Sequence, residues 1–560
     1  MTKKILFIAL MLTGFLSCSK QVNEKNKDDA KDASSAAPFL WENANLYFLL
    51  TDRFNNGDAS NDINFDRTLP TAPLRGFEGG DIKGIIQKIQ DGYFQELGVN
   101  AIWFTPVVEQ IHGGTDEGTG FTYGFHGYWT KDWTALDPNF GTMDDLAELV
   151  SVAHSAGIRI VMDAVINHTG PVTEQDPVWP KDWVRTSPKC EFDSYETAVK
   201  CALVENLPDI LTESNENVEL PQQLVEKWKA EGRYEQEVAE LDAFFERTGY
   251  PKAPRFYIIK WLSDFVQDFG IDGFRADTVR HIEEGVWAEF KGECDKAFSL
   301  WKQKNPDKVL DDNAFYMVGE VYDYEIISTG KFFDFGDVKV NYYDHGFDSM
   351  INFQFKKSAN DDYETLFSTY SDVLNDKKNG FQVLNYVTSH DDVHPFDMER
   401  KRVTEAATKL LLSAGTAQIY YGDESARNLI VEGTQGDATL RSKMNWEDIK
   451  SNDSTKAILS HWQKLGKFRR DHPSVGAGEH LMINEAPYVF KRTYHKKDYK
   501  DVVVVGLDLK KGVKRIYVQK EFAEYLTIRD AYSGKEAKVE KGFVEFDTPF
   551  DILLLEIASK

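Results

Sequence analysis

Basic residues are the scarcer charge in this sequence. Lys and Arg number 65 against 91 Asp and Glu, a formal charge of -26, and a field of that sign repels nucleic acid and polyanionic substrates. A neutral substrate is easier to accommodate. Cysteine is rarer still, four in 560 residues, and no spacing among them matches a zinc site. The apolar run at residues 5–16 is too short for a membrane-spanning helix. What is abundant is ordinary: 42% hydrophobic and 28% charged residues exclude the disordered class and allow a large core. The length allows three or four domains, or one large barrel with appendages.

Lys3 and Lys4 precede the apolar run, as in a secretory signal. Cys18 follows Ser17 and resembles a bacterial lipobox, in which the Cys becomes the lipidated N-terminus. The segment "SKQVNEKNKDDAKDASSAAP" reads as a solvated tether. If lipoprotein sorting rules apply, Ser19 directs the protein to the outer membrane, facing periplasm or cell surface. In an oxidising compartment Cys190 and Cys201, close together in a loop-rich region, can pair, and Cys294 in a helical pattern reads as a core thiol.

From about Leu46 to Glu424, short apolar runs alternate with amphipathic helical patterns. "NLYFLLTDRF", "NAIWFTPV", "IRIVMDAVINH", "IDGFRAD", "FYMVGEV", "SMINF", "QVLNYVTSHD" and "AQIYYGDE" read as strands, most of them ending in polar residues. "DDLAELVSVAHSAG" places Leu146, Leu149, Val150 and Ala153 on one helix face. This alternation implies parallel strands with crossovers. The predicted fold is α/β, an eight-stranded (β/α)8 TIM barrel with its site where the strands end. The stretch between "VINHTG" and "GIDGFRAD" is too long for a loop and predicts a domain inserted after the third strand. After about Ser474 alternating strands predict a C-terminal antiparallel β domain. The divisions are 1–17 signal peptide, 18–38 tether, 39–168 and 257–473 barrel, 169–256 insertion, and 474–560 C-terminal β-sandwich.

"GIDGFRADTVRH" (270–281) puts two charges at the end of an apolar strand. Side chains alternate along a strand, so Arg275 and Asp277 share one face. Asp163, Glu320 and Asp391 also sit at strand ends, with His168 and His390 beside two of them. Any one carboxylate alone reads as a solvated surface acid. Four at one barrel mouth suit glycoside hydrolysis, in which one carboxylate attacks the anomeric carbon and another protonates the leaving oxygen.

With "DAVINH" (163–168), "GFRADTVRH" (273–281), "GEV" (319–321) and "SHD" (389–391) in that order, and "HGYW" (126–129) and "LPDI" (207–210) as further matches, the sequence resembles the α-amylase family of glycoside hydrolases. "YYDHGFDSMINF", "SHDD" and "LPDILTES" are similar to its bacterial periplasmic members. Ser389 and Arg280 depart from the commonest pattern, where Asn and Lys are frequent. The resemblance implies Asp277 as nucleophile, Glu320 as general acid/base and Asp391 as the carboxylate that binds the distorted sugar. His168, His390 and Tyr128 would contact that sugar, Tyr128 through an apolar ring face. Arg275 would hold Asp277 ionised by lowering its pKa, and Asp163 would orient Arg275. Retention requires the Asp277 and Glu320 carboxyls roughly 5 to 5.5 Å apart.

The resemblance also implies calcium, which takes carboxylate, amide and main-chain oxygens. Asn167, Asp209 and the carbonyl of His281 match the family's ligands between barrel and insertion. "DRFNNGDASND" with "GGD" resembles a second calcium loop of cyclodextrin-acting relatives, with Asn56, Asp58, Asn61, Asp62, the Gly79 carbonyl and Asp81 as ligands. A polar turn without metal is the alternative.

The function so implied is a secreted, lipid-anchored, monomeric retaining hydrolase of internal α-1,4 bonds in starch, glycogen and maltooligosaccharides. Alternatives are a cyclodextrin- or pullulan-degrading enzyme or an α-glucan transglycosylase, and, from another class, a non-catalytic glucan-binding protein. Retention of Asp277, Glu320 and Asp391 argues against the last, because binding alone does not need all three.

Overall fold

The computed structural model describes residues 37–375, 381–518 and 520–558; the signal run, Cys18 and nearly all of the tether lie outside them. Eight parallel strands close into a barrel: β1 (Asn45–Leu49), β2 (Ala101–Phe104), β3 (Arg159–Ala164), β4 (Gly273–Ala276), β5 (Tyr316–Gly319), β6 (Ser349–Asn352), β7 (Gln382–Tyr386) and β8 (Thr416–Tyr420). Neighbours follow chain order, and β1 pairs with both β8 and β2. Nearly every residue of these strands is buried. Strands covered on both faces need continuous apolar runs, which is why their sequences do not alternate.

The helices between them begin and end on local signals. Thr142 caps helix α2 (Met143–Ser155), its hydroxyl accepting from the Asp145 N–H while the Asp145 carboxylate accepts from the Thr142 N–H. Leu146, Leu149, Val150 and Ala153 are its buried face. The helix preceding β4, α5 (Pro254–Phe269), starts with Pro at its first position and stops at Gly270 with φ of +79°. A Cβ at Gly270 would lie 2.1 Å from the Trp301 ring. That glycine turns the chain tightly into β4.

The connection from β3 to α5 carries the inserted segment. It contains a two-stranded ladder (Val184–Arg185 with Asp209–Ile210), a Cys190–Cys201 disulfide, and helices α3 (Gln222–Ala230) and α4 (Tyr234–Thr248). Gly232, with φ of +76°, turns the chain between these two helices. Cys294 is a buried free thiol in the helix after β4, α6 (Glu284–Lys304). A shorter excursion follows β2, where residues Val108–Gln110 pair antiparallel with Thr130–Leu136. It brings Tyr128 over the barrel mouth.

Beyond helix α9 (Asp453–Asp471) lie β9 (Glu479–Asn484), β10 (Tyr488–Lys496), β11 (Tyr499–Leu507), β12 (Gly512–Tyr517), β13 (Thr527–Asp530), β14 (Glu536–Lys538), β15 (Phe543–Thr548) and β16 (Leu553–Ile557). Six form one sheet in the order β9-β10-β11-β16-β13-β14, and β12 pairs with β15. Their alternating burial encloses a separate apolar cluster including Val504, Ile516 and Phe546. His472, at the end of α9, reaches Asp501 on β11 at 2.9 Å and Glu556 on β16 at 2.6 Å. Burial opposes its charge, but the two carboxylates outweigh it and push its pKa up to about 9. An imidazole that stays charged at neutral pH thus ties the last barrel helix to the sheet.

Candidate active site

Parallel register decides which strand-end residues meet. Arg275 on β4 stands opposite Asp163 on β3, both buried and side by side. The main chain continues this alignment past the strand ends: Asp277 N–H donates to the Ala164 carbonyl and Glu320 N–H to the Ala276 carbonyl, each at 3.0 Å. Asp277 and Glu320 are therefore held by backbone before any side chain is considered. Thr278, between them, takes a left-handed φ of +48°, and its N–H donates to Glu320 Oε2 at 3.0 Å. A non-glycine residue in that region is strained, and here the strain aims a donor at a carboxylate.

One guanidinium joins the three acids. Arg275 Nη1 donates to Asp163 Oδ1 at 2.8 Å and to Asp277 Oδ1 at 2.7 Å, and its Nη2 lies 3.0 Å from Glu320 Oε2. The second oxygen of Asp163 accepts from the Tyr128 hydroxyl at 2.8 Å and from the Trp103 indole at 3.1 Å. A second cluster faces this one. Asp391 Oδ1 accepts from Arg441 Nη2 at 2.6 Å, and its Oδ2 lies 2.9 Å from His390 Nε2. Arg441 also donates to the His390 carbonyl and pairs with Asp437. The Tyr128 and His390 rings lie near-parallel, 5.5 Å apart. His168 Nε2 meets the Tyr128 carbonyl at 3.1 Å, so it sits behind that tyrosine.

Burial dominates the electrostatics. It raises Glu320 to about 7, against the pull of Arg275 and with help from the neighbouring Asp277 and Asp391 charges. Asp277 is also raised, to about 6, by burial that exceeds the downward pull of Arg275. Arg275 lowers the Asp277 pKa as expected, but burial is the larger effect and leaves it above the ordinary carboxylate value. Asp163 likewise rises to about 6 through burial. Asp391 differs. Burial opposes its ionisation, but the adjacent His390 ring and the Arg441 cation outweigh it and hold it well below the carboxylate range. Burial lowers both His390 and His168, the latter to about 4, so both imidazoles are neutral near pH 7. The mouth thus offers one firmly ionised acid and three that exchange protons near neutrality, Asp277 and Glu320 among them, the combination that acid/base and nucleophilic chemistry needs.

Beside Glu320, Arg280 packs over the rings of Phe192, Tyr322 and Phe333 at 5.3, 5.5 and 5.7 Å. Phe192 and Tyr322 are 47% and 41% exposed. These aromatic rings stand open beside the barrel mouth. Ser389 lies against His390, its hydroxyl 3.4 Å from Nδ1.

The donor set at the insertion fits a hard cation. As oriented, the Asn167 side-chain oxygen faces only acceptors, Asp209 Oδ1 at 3.3 Å and the His281 carbonyl at 3.1 Å. Three oxygens converge there, to be satisfied by turning the amide over or by a cation among them. Asp209 keeps its other oxygen on Arg185 at 2.7 Å, and burial raises it to about 8. The second loop is less uniform. Asn56, Asp62 and Gly79 adjoin one another, and the buried Asn61 side-chain oxygen has no hydrogen-bond partner. Asp81 instead caps helix α1 (Ile82–Gln90) and accepts from the N–H groups of Gly57, Asp58 and Gly84, while Asp58 pairs with Lys83. Those two carboxylates are engaged by these donors.

Sequence reasoning missed Arg441 and Trp103. Arg441 lies 50 residues from Asp391, in a segment with no periodicity. Trp103 lies inside the apolar run of β2, where nothing in the sequence marks it as reaching Asp163.

Residues 48–472 match the family model described as alpha amylase, catalytic domain. The periplasmic alpha-amylase of Escherichia coli (strain K12) is 36% identical over 509 residues, covering 81% of this chain and 70% of that protein. A cyclomaltodextrin glucanotransferase of Thermoanaerobacterium thermosulfurigenes is 26% identical, covering 80% of this chain and 58% of that one, so the chain spans less than two thirds of it. Among solved structures, an Anoxybacillus alpha-amylase superposes with a TM-score of 0.64 at 24% identity, over 93% of this chain and 100% of that one.

Proposed function

The chain belongs to the alpha-amylase family of glycoside hydrolases, and from that premise we propose that it hydrolyses internal α-1,4 bonds of starch, glycogen and maltooligosaccharides with retention. The observation that carries this reading is the Arg275 guanidinium touching both Asp277 and Glu320 while Asp391 is held ionised opposite them. Asp277 attacks the anomeric carbon as Glu320 gives its proton to the departing glycosidic oxygen. Glu320 then takes a proton from water, whose oxygen displaces Asp277 and restores the original configuration. Asp391 holds hydroxyls of the distorted sugar, Tyr128 lies against its apolar face, and His390 and His168 donate to it or orient Tyr128.

Two observations favour a second reading, transfer to a sugar acceptor: the open rings of Phe192 and Tyr322 and the likeness to a glucanotransferase. The N-terminal sequence and the periplasmic relative support export and anchoring through Cys18. One experiment tests these together. Starch-degrading activity should sediment with outer membranes and be released by Cys18→Ser, and amylose should give linear maltooligosaccharides with the α-anomer formed first. Cyclic products would favour transfer, β-anomers would refute retention, and no internal cleavage of amylose would refute the hydrolase reading.

Calcium fits between barrel and insertion, where Asn167, Asp209 and the His281 carbonyl would hold it. A bound cation there would neutralise buried oxygens and tie the insertion to the segment that carries Asp277. Asn56, Asp58, Asn61, Asp62, the Gly79 carbonyl and Asp81 would serve a second ion. Exhaustive chelation should lower the melting temperature, because a ligand of the native state is removed. An unchanged melting curve would rule out both sites.

A further inference from the structure

A cavity of about 290 Å³ lies in the seam between the β2 excursion and the inserted segment. None of the Arg275 or Asp391 cluster lines it. Its size is near the lower end of small-molecule pockets. Its walls combine apolar surface with polar groups that lack partners. Phe65 and His112 stack at 3.7 Å on one side, and Trp179 and Val178 add apolar surface, Val178 being 46% exposed at the rim. Thr130 is fully buried, and its hydroxyl has no hydrogen-bond partner. The buried side-chain nitrogen of Gln223, at the start of α3, is also unpartnered. Both residues line this one cavity.

Buried polar atoms are rarely left unpaired, and two in one cavity need an external partner. Phe65 holds a left-handed φ of +51°, a strained conformation that keeps its ring on His112 rather than in the core. An apolar face with an isolated hydroxyl and an isolated amide N–H matches a pyranose ring, which offers an axial C–H face and a rim of hydroxyls. A phosphate or other anion fits poorly, since the cationic neighbours Lys131 and Lys227 are already paired with Asp176, Glu109 and Asp132.

We infer that this seam is a second glucan-binding site, holding one or two glucosyl units of a chain away from the cleavage point. The identity of the sugar rests on the α-glucan reading above. Such a site would keep the enzyme on a polymer between cleavages without changing the chemical step.

The test uses Gln223→Leu, Thr130→Val and Val178→Arg, the last filling the rim. Each should raise KM for soluble starch about five- to tenfold, the effect of losing one or two hydrogen bonds, and leave kcat unchanged. Activity on a chromogenic maltotrioside, too short to reach the seam, should match the parent and certify folding. In a Glu320→Gln background, the three variants should also be retained less by immobilised glycogen. Parent-like KM and retention in all three would overturn the inference. A water-filled cavity predicts that same parent-like result. A parent inactive on both starch and maltotrioside would instead fail the α-glucan reading. Weaker glycogen retention would then still support the seam as a glucan site.

Discussion

Glu320→Gln lowers starch hydrolysis by about 10³-fold or more, and Asp277→Asn lowers it at least as far, with folding preserved in both. Both substitutions are isosteric and remove charge or proton rather than volume. The two losses should differ in kind. A maltosyl fluoride leaves without protonation, so Glu320→Gln should recover much of its first-step rate on it, whereas Asp277→Asn should stay inactive because the attacking group is gone. The pH profile gives an independent reading. Asp277 must be ionised to attack and Glu320 protonated to donate, and burial raises them to about 6 and about 7. Parent kcat/KM should therefore rise through about pH 6 and fall above about pH 7, limbs that belong to the interacting pair rather than to either acid alone. Glu320→Gln should lose the falling limb. Near-normal starch hydrolysis in either variant, or equal losses on the fluoride, would overturn the assignment.

How far the site could be read from sequence follows from the geometry that built it. Alternation along β4 was enough to place Arg275 and Asp277 on one face, and the continuous apolar runs of β1 to β8 were enough for a parallel barrel, because both depend on neighbouring residues. Four strand-end acids could then be gathered at one mouth by topology alone. Arg441 could not, since its approach to Asp391 is fixed by a loop after β8 that has no repeating pattern. Protonation was hidden for another reason. A cation beside Asp277 argues for a low pKa until it is clear that the site is buried, that burial outweighs the cation, and that the same cation also serves Asp163 and Glu320. Burial and sharing are both three-dimensional properties, and burial reversed the sign.

That sharing makes Arg275 the most consequential residue that takes no part in bond making. Arg275→Met leaves three carboxylates buried without their cation, and losing one partner of a buried ion pair costs about 3–5 kcal/mol. Arg275→Lys keeps the charge but presents a single point rather than two arms, so it cannot hold Asp277 and Glu320 together. Both variants should lose starch hydrolysis by orders of magnitude, and the lysine variant, being the better folded, separates misplacement from unfolding. The pH dependence has a definite sign. Without the guanidinium the Asp277 pKa rises further, so the acid limb of kcat/KM moves to higher pH. Stability follows the same groups: carboxyls whose folded pKa exceeds the unfolded value favour the fold while protonated, below the unfolded pKa, and lose that advantage as pH rises through the folded pKa. The melting deficit of Arg275→Met relative to parent should accordingly be small near pH 5 and larger near pH 7.5. A deficit independent of pH would mean that Arg275 acts through packing alone. An unmoved acid limb in Arg275→Lys would mean that the charge, and not the two-armed contact, sets the Asp277 titration.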